Sequence, residues 1–266
     1  MRKEAVLFLS HVYNDYTLMR FRQLQTSVIE GQDLIWVHTN FDGIYFFSTH
    51  KEINHLYIKL RNNYIFKQNN SAPNNSYLFV DIFEKIPNYD YYWFIEYDVC
   101  INSKESDPYR RIFDYYVDND NYECDADVIA DHIATYNTNH NYNIRYPFKD
   151  LLEQYEDIQK LYLQKNDIHF GFYTICRLSN KLLKNLKEIP EWQNIFFEIG
   201  ITTFAYKCNY KICTFQNLFS WRGNTKFDNP HRRLNVGSNG FLKKVYQDYY
   251  DEFPEGAIIH AVKNYE

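Results

Sequence analysis

The stretch from Tyr91 to Ile101, YYWFIEYDVCI, restricts the possible folds more than any other part of this chain. Its first five residues, Tyr91-Tyr92-Trp93-Phe94-Ile95, are aromatic or β-branched without a polar interruption. Such a run is the composition of a strand buried on both faces, which is how strands of a mainly parallel sheet read. The run then meets Glu96-Tyr97-Asp98. Strand residues at i and i+2 share a face, so the expectation is two carboxylates side by side where the strand leaves the core. Two acids at the end of an apolar strand are costly unless a cation meets them. A divalent metal carrying phosphate oxygens is one such cation, because hard ions take oxygen ligands. The plainer alternative is a pair of acids that merely cap an exposed strand end.

The flanking pattern extends the strand into a fold. Ala5–Leu9 reads as a first strand, 16–29 as a helix with Leu18, Phe21, Leu24 and Val28 inward and Gly31 as its stop, and Leu34–Val37 as a second strand. Ile44–Phe47 reads as a third strand, Ser76–Lys85 as a helix, and Asp107–Val117 as a helix with Pro108 in its first turn. Asp127–Ala130 reads as a strand, 151–163 as a charged amphipathic helix, and 169–178 as one long strand. Ser179 is the expected N-cap of a helix over 180–186, and a helix over 194–206 and a strand over 210–215 follow. Alternating strands and helices predict a mainly parallel α/β sheet, in which ligands bind beyond the carboxyl ends of the strands. The polar stretch 68–76, QNNSAPNNS, reads as a loop rather than a linker, so a single domain over 1–266 is expected.

Composition narrows the function by exclusion. A formal charge of −5 supplies no basic field for nucleic acid. Five cysteines, an odd number without a Cys-x-x-Cys pair, argue against a disulfide framework or a zinc site and for a reducing compartment. Ala5–Leu9 is too short an apolar run for a signal peptide or membrane span. A cytoplasmic protein without a transmembrane segment is expected, and the Asn-x-Ser matches at Asn69 and Asn74 are expected to be idle. The 19% aromatic share goes with many Asn, Lys and Ile residues, as AT-rich coding would give, so the aromatics by themselves carry little functional weight. There is no Gly-x-Gly-x-x-Gly, no phosphate loop and no Gly-x-Ser-x-Gly elbow; Gly237-Ser238-Asn239-Gly240 follows no strand.

Five features now stand in order: an N-terminal βαβ unit, the WFIEYDV strand end, an Arg177-Leu178-Ser179 strand–helix junction, an acid-bearing helix with Glu198, and a terminal apolar run ending in His260-x-x-Lys263. In that order the chain resembles GT-A-fold glycosyltransferases, especially bacterial families related to the branching N-acetylglucosaminyltransferases and polysaccharide biosynthesis. The resemblance implies an α/β fold with a GT-A-like mixed, mostly parallel sheet flanked by helices. It implies a Rossmann-like nucleotide-binding half over about 1–103 and an acceptor half over about 104–266. Glu96-Tyr97-Asp98 would be a degenerate Asp-x-Asp motif, with Asp98 contacting Mn²⁺ or Mg²⁺ and Glu96 near the ribose or in an outer role. His260 would add a metal ligand, and Lys263 and Arg222 would meet the diphosphate. Some relatives work without metal, in which case Lys263, Arg222 or Arg177 would carry the phosphate charge.

The same resemblance makes Glu198 the base. Burial beside Phe196 and Phe197 raises a carboxyl pKa, which suits a group accepting the acceptor's hydroxyl proton; the alternative is an acid favoured simply by a helix start. Ser10, His11 and Asn14 would contact the nucleotide, and Trp221 would stack on a sugar. The expected reaction moves a sugar, with inversion, from a nucleotide-diphosphate donor such as a UDP-sugar to a hydroxyl acceptor, a glycan. Two other classes stay open: a nucleotidyltransferase of similar fold, against which the absence of Gly, Lys and Arg from 10–15 counts, and a non-catalytic carbohydrate-binding protein.

Overall fold

The computed structural model describes residues 2–40, 42–59, 76–117, 125–130, 133–135, 167–171, 173–193, 195, 197–215, 241–242, 258–259 and 262–263. The chain opens with β1 (Glu4–Ser10), α1 (Asp15–Ser27), β2 (Gln32–Thr39), β3 (Gly43–Ser48), β4 (Tyr57–Lys59) and α2 (Tyr77–Lys85). Next come β5 (Tyr91–Glu96), β6 (Cys100–Ile101), α3 (Arg110–Val117), β7 (Val128–Ala130), β8 (Ile133–Thr135), β9 (His169–Gly171) and β10 (Ile175–Ser179). It continues with α4 (Asn180–Lys187), α5 (Pro190–Gln193), α6 (Phe197–Lys207) and β11 (Ile212–Thr214). Three short strands, β12 (Phe241–Leu242), β13 (Ile258–Ile259) and β14 (Val262–Lys263), complete the described elements.

Eight strands form one sheet in the order β11-β7-β10-β5-β1-β2-β3-β4. The ladders β1–β2, β1–β5 and β7–β11 are parallel, while β3 and β10 run against the other strands. The result is a mixed sheet flanked by helices, with strands drawn from both halves of the chain. On one face Leu7, Tyr92, Phe94, Cys176 and Leu178 meet α2, α4 and α6. On the other, Val6, Phe8, Trp93, Ile95 and Ile175 meet α1 and α3. Tyr92 to Ile95 are each 0% exposed, which explains why the sequence there does not alternate in polarity. Burying each such side chain contributes about 1.5–3 kcal/mol. No helix among the described residues is long and apolar enough to cross a membrane.

Local chemistry explains where the elements stop and start. Asn14 caps α1 through a reciprocal pair, its Oδ1 accepting from Thr17 N at 2.9 Å while Asn14 N donates to Thr17 Oγ1 at 3.0 Å. Helix α1 ends at Ser27, earlier than the glycine stop predicts; Gly31, at φ 87°, instead makes the turn into β2. Ser179 caps α4 as expected, accepting from Leu182 N at 3.1 Å.

Two elements depart from the sequence reading. β3 is antiparallel to β2 because Asn40 closes a tight connection, its Oδ1 accepting from Asp42 N (2.9 Å) and Gly43 N (3.0 Å). A parallel return would need a crossover. The single strand predicted over 169–178 is two: β9 pairs with β8 in a separate two-stranded sheet, and β10 joins the main sheet. Gly171 sits at the break, where a Cβ would lie 2.7 Å from both Thr202 Oγ1 and Tyr173 Cε2. Only a residue without a side chain lets β9 approach α6 so closely. The loop predicted over 68–76 and the helix over 151–163 lie outside the described residues, Ser76 excepted.

Candidate active site

The parallel strands β1, β2 and β5 end together, with Leu9 opposite Val37 and Glu96, and Ser10 opposite His38. Ser10 is buried and spends its hydroxyl on its own turn, accepting from Val12 N at 3.0 Å and donating to Val12 O. The loop it starts leans on the acid turn: the His11 ring meets the Tyr97 ring edge-on at 5.1 Å, and Tyr97 N donates to Leu9 O at 2.9 Å. Asn14 stands one step further, with its carbonyl oxygen committed to capping α1.

The strand alternation that predicts the pairing of the two acids ends at Glu96. β5 stops at Glu96, and Val99 N donates to Glu96 O at 3.1 Å, so Tyr97 and Asp98 form a turn. The i, i+2 rule holds only while the chain stays extended. Glu96 is half-buried, and its charge reaches the Cys176 thiol on the α6 side of the sheet. Asp98 is only 5% exposed and acts electrostatically on the Tyr16 and Tyr109 hydroxyls, on the α1 and α3 side.

A buried cation stands near this turn that the sequence reading missed. Arg20 on α1 donates from Nε and Nη2 to Tyr16 Oη (3.1 and 3.0 Å) and from Nη1 to Gln23 Oε1 at 2.9 Å. Burial works against its charge, but Cys100, Tyr16 and Tyr109 hold the guanidinium above its ordinary pKa. Burial likewise pushes the Tyr16 phenol up to about 12, with Arg20 opposing the shift. Tyr109, pushed up by burial too, donates to Val99 O at 3.0 Å and so pins the far end of the acid turn. The signal available in the sequence was the Tyr16-Arg20-Leu24 stripe at i+4 spacing, which places an arginine among inward residues.

Glu198 lies in the first turn of α6. Its carbonyl accepts from Thr202 Oγ1 at 3.0 Å, and Thr202 shares a second hydrogen bond of 2.8 Å with the Tyr173 hydroxyl. Burial raises the Tyr173 pKa, and the Glu198 charge adds to the shift. The next residue, Thr174, accepts from Glu96 N at 2.9 Å through its carbonyl. Tyr173-Thr174 therefore ties the Glu198 helix to the acid turn. Thr174 is 3% exposed, and its Oγ1 meets no hydrogen-bond partner among the described residues. The same holds for Nδ1 of His38, whose pKa burial lowers. Neither residue was singled out from sequence.

Of the other predicted residues, Arg222, Trp221 and His260 lie outside the described residues, and Lys263 is described only as backbone in β14, opposite Leu242 of β12. The strand just before His260 does approach the turn, since Ile259 pairs with Cys100 and Ile258 with Ile101. Arg177 is corrected. It is fully buried, stacks on Tyr91 at 4.2 Å, donates to Tyr116 O and Ala126 O, and lies 3.6 Å from Glu4, so it serves the core rather than a phosphate. No cluster of three His, Cys, Asp or Glu fit to hold a metal occurs among the described residues. Asp98 and Glu96 supply hard oxygen donors of the kind that take Mg²⁺ or Mn²⁺ together with substrate phosphates, rather than an all-protein cage.

No protein-family description and no curated protein matches this sequence. Among solved structures the chain is similar, over 96% of its length and 91% of the other chain, to a glycosyltransferase involved in the glycosylation of the major capsid of PBCV-1, at 10% identity and a TM-score of 0.40.

Proposed function

We propose that this chain is a glycosyltransferase that moves a sugar from a nucleotide-diphosphate donor to a hydroxyl of a glycan acceptor. The observation that supports the reading is the tie from Glu96 through Thr174 and Tyr173 to the helix that carries Glu198, which links the acid turn to a second acid-bearing element. Displacement at an anomeric carbon needs both: a place for the departing diphosphate and a base for the incoming hydroxyl.

In this scheme the donor lies across the carboxyl ends of β1 and β5, with its diphosphate toward Asp98. Bound there, Mn²⁺ or Mg²⁺ would neutralise charge on the leaving diphosphate. Glu198 takes the acceptor's hydroxyl proton as the acceptor oxygen bonds to the anomeric carbon. The bond from that carbon to the diphosphate oxygen breaks with its electron pair leaving on the diphosphate, and the single displacement inverts the anomeric centre. Glu198 stands in the first turn of α6.

The test pairs thermal shifts with turnover. The wild type is expected to be stabilised by one of UDP, GDP or CMP, more strongly with Mn²⁺, and Asp98→Asn to lose the Mn²⁺ increment. Glu198→Gln is expected to keep the nucleotide shift while transfer falls by about 10²–10⁴. A wild type that no nucleotide stabilises would sink the reading in favour of a carbohydrate-binding protein. Release of pyrophosphate from a nucleoside triphosphate would favour a nucleotidyltransferase.

A further inference from the structure

Helix α6 carries a feature that the proposed reaction does not use. Glu198, Thr202 and Tyr206 stand at successive i+4 positions, so they line one stripe of the helix. The Tyr173 hydroxyl, bonded to Thr202, is within electrostatic reach of both Glu198 and Tyr206, as a common stripe requires. At the far end of that stripe the His169 ring lies flat on the Tyr206 ring, with centroids 3.7 Å apart and planes 15° from parallel. The backbone of β9 is fixed there, because His169 N donates to Thr203 Oγ1 at 3.0 Å and Thr203 Oγ1 donates to His169 O at 2.8 Å. Tyr206 still keeps 43% of its surface in water.

A tyrosine ring stacked on one neighbour and part-exposed to solvent is suited to a sugar. The weakly positive C–H groups on one face of a pyranose meet the negative face of the aromatic ring. The stack with His169 has already fixed the tyrosine, so less conformational freedom is lost on binding. Burial lowers the His169 pKa, with Asp167 opposing the shift, which favours the neutral imidazole. Glu198 and Tyr206 are two helical turns apart, about 12 Å along the axis, a gap that a monosaccharide cannot bridge and a short oligosaccharide can.

We infer that the Tyr206–His169 pair is a distal acceptor subsite, a stacking platform for a sugar ring remote from the reacting hydroxyl, and that the acceptor is an oligosaccharide. The choice of acceptor rests on the glycosyltransferase reading; the platform itself does not. The test is calorimetric titration of the full chain with β-linked glucose and N-acetylglucosamine oligosaccharides of one, two and four residues. The wild type is expected to bind the tetrasaccharides roughly tenfold tighter than the monosaccharides. Tyr206→Ala should bring that ratio close to one, and Tyr206→Phe should retain it, with melting temperatures reporting that both variants fold. A wild type without length preference, or a Tyr206→Ala variant that keeps it, overturns the inference. If length preference depends on Tyr206 but no nucleotide sugar is ever turned over, the platform stands and the transferase reading falls.

Discussion

Glu4 is the residue whose charge the lower half of the sheet depends on, and removing that charge with Glu4→Gln is the sharpest test of the core. Glu4 is 1% exposed at the start of β1 and accepts from Arg2 Nε at 2.7 Å, Gln32 Nε2 at 2.8 Å and Trp93 Nε1 at 2.8 Å. Its Oε1 lies 3.6 Å from Nη1 of Arg177, which is fully buried on β10. At that separation the attraction is about 5 kcal/mol for an effective dielectric near 20. Arg2 reaches solvent and can rehydrate; Arg177 cannot. The variant keeps shape and a carbonyl acceptor but removes the negative charge facing a buried guanidinium, and breaking a buried pair from one side costs about 3–5 kcal/mol. For a chain of this size that corresponds to a fall in Tm of roughly 6–20 °C. Arg177→Met should be destabilising as well, while Glu4→Gln/Arg177→Met should lose about 1–3 kcal/mol less than the two singles together, because the second change removes the buried charge that Glu4 faced. Urea and thermal unfolding followed by far-UV circular dichroism give the cycle. Strict additivity, or a Glu4→Gln variant within 1 kcal/mol of wild type, would show that Glu4 and Arg177 are not coupled as the geometry requires.

Gly171→Ala places a Cβ 2.7 Å from Thr202 Oγ1 and from the Tyr173 ring, so it should cost about 1–3 kcal/mol, and an unchanged melting temperature would refute the close approach of β9 to α6. Burial holds both His38 and His169 below the ordinary 6.5. The unfolded chain therefore takes up these protons first as the pH falls, so stability should be level above about pH 6.5 and decline below it. The double variant His38→Gln/His169→Gln should flatten that decline in urea midpoints measured from pH 8 to pH 5; an identical slope would assign the acid sensitivity to other groups.

Much of the architecture is written locally in the chain. β5 was legible because both of its faces are buried, so its whole apolar run had to be strand, and the Ser179 cap was legible because its hydroxyl meets a backbone amide three residues on. The direction of β3 was not, because it depends on Asn40 folding back on Gly43 rather than on any property of the strand. The break between β9 and β10 escaped for a similar reason: it is set by α6 lying against Gly171, more than 20 residues before that helix begins. The candidate acids and Glu198 could be proposed from residue type and position. Their true surroundings could not, since Asp98 leaves its strand and acts electrostatically on Tyr16 and Tyr109, from segments read only as helical. Arg20 belongs to the same class, a charge whose partners are supplied by tertiary contact.

The place of β10 in the sheet also sets a timetable for synthesis. It lies between β5 and β7, pairing Ile175 with Ile95 and Ser179 with Tyr91. A nascent chain that has completed β1, β2 and β5 must therefore wait for roughly 80 more residues, several seconds at ordinary elongation rates, before its most aromatic strand gains a neighbour on that side. During that interval the β5 edge offers its unpaired backbone groups and aromatic side chains to any passing strand. The N-terminal half made by itself should be a poor folder, and shielding by the ribosome or a chaperone matters most just as the acid turn emerges.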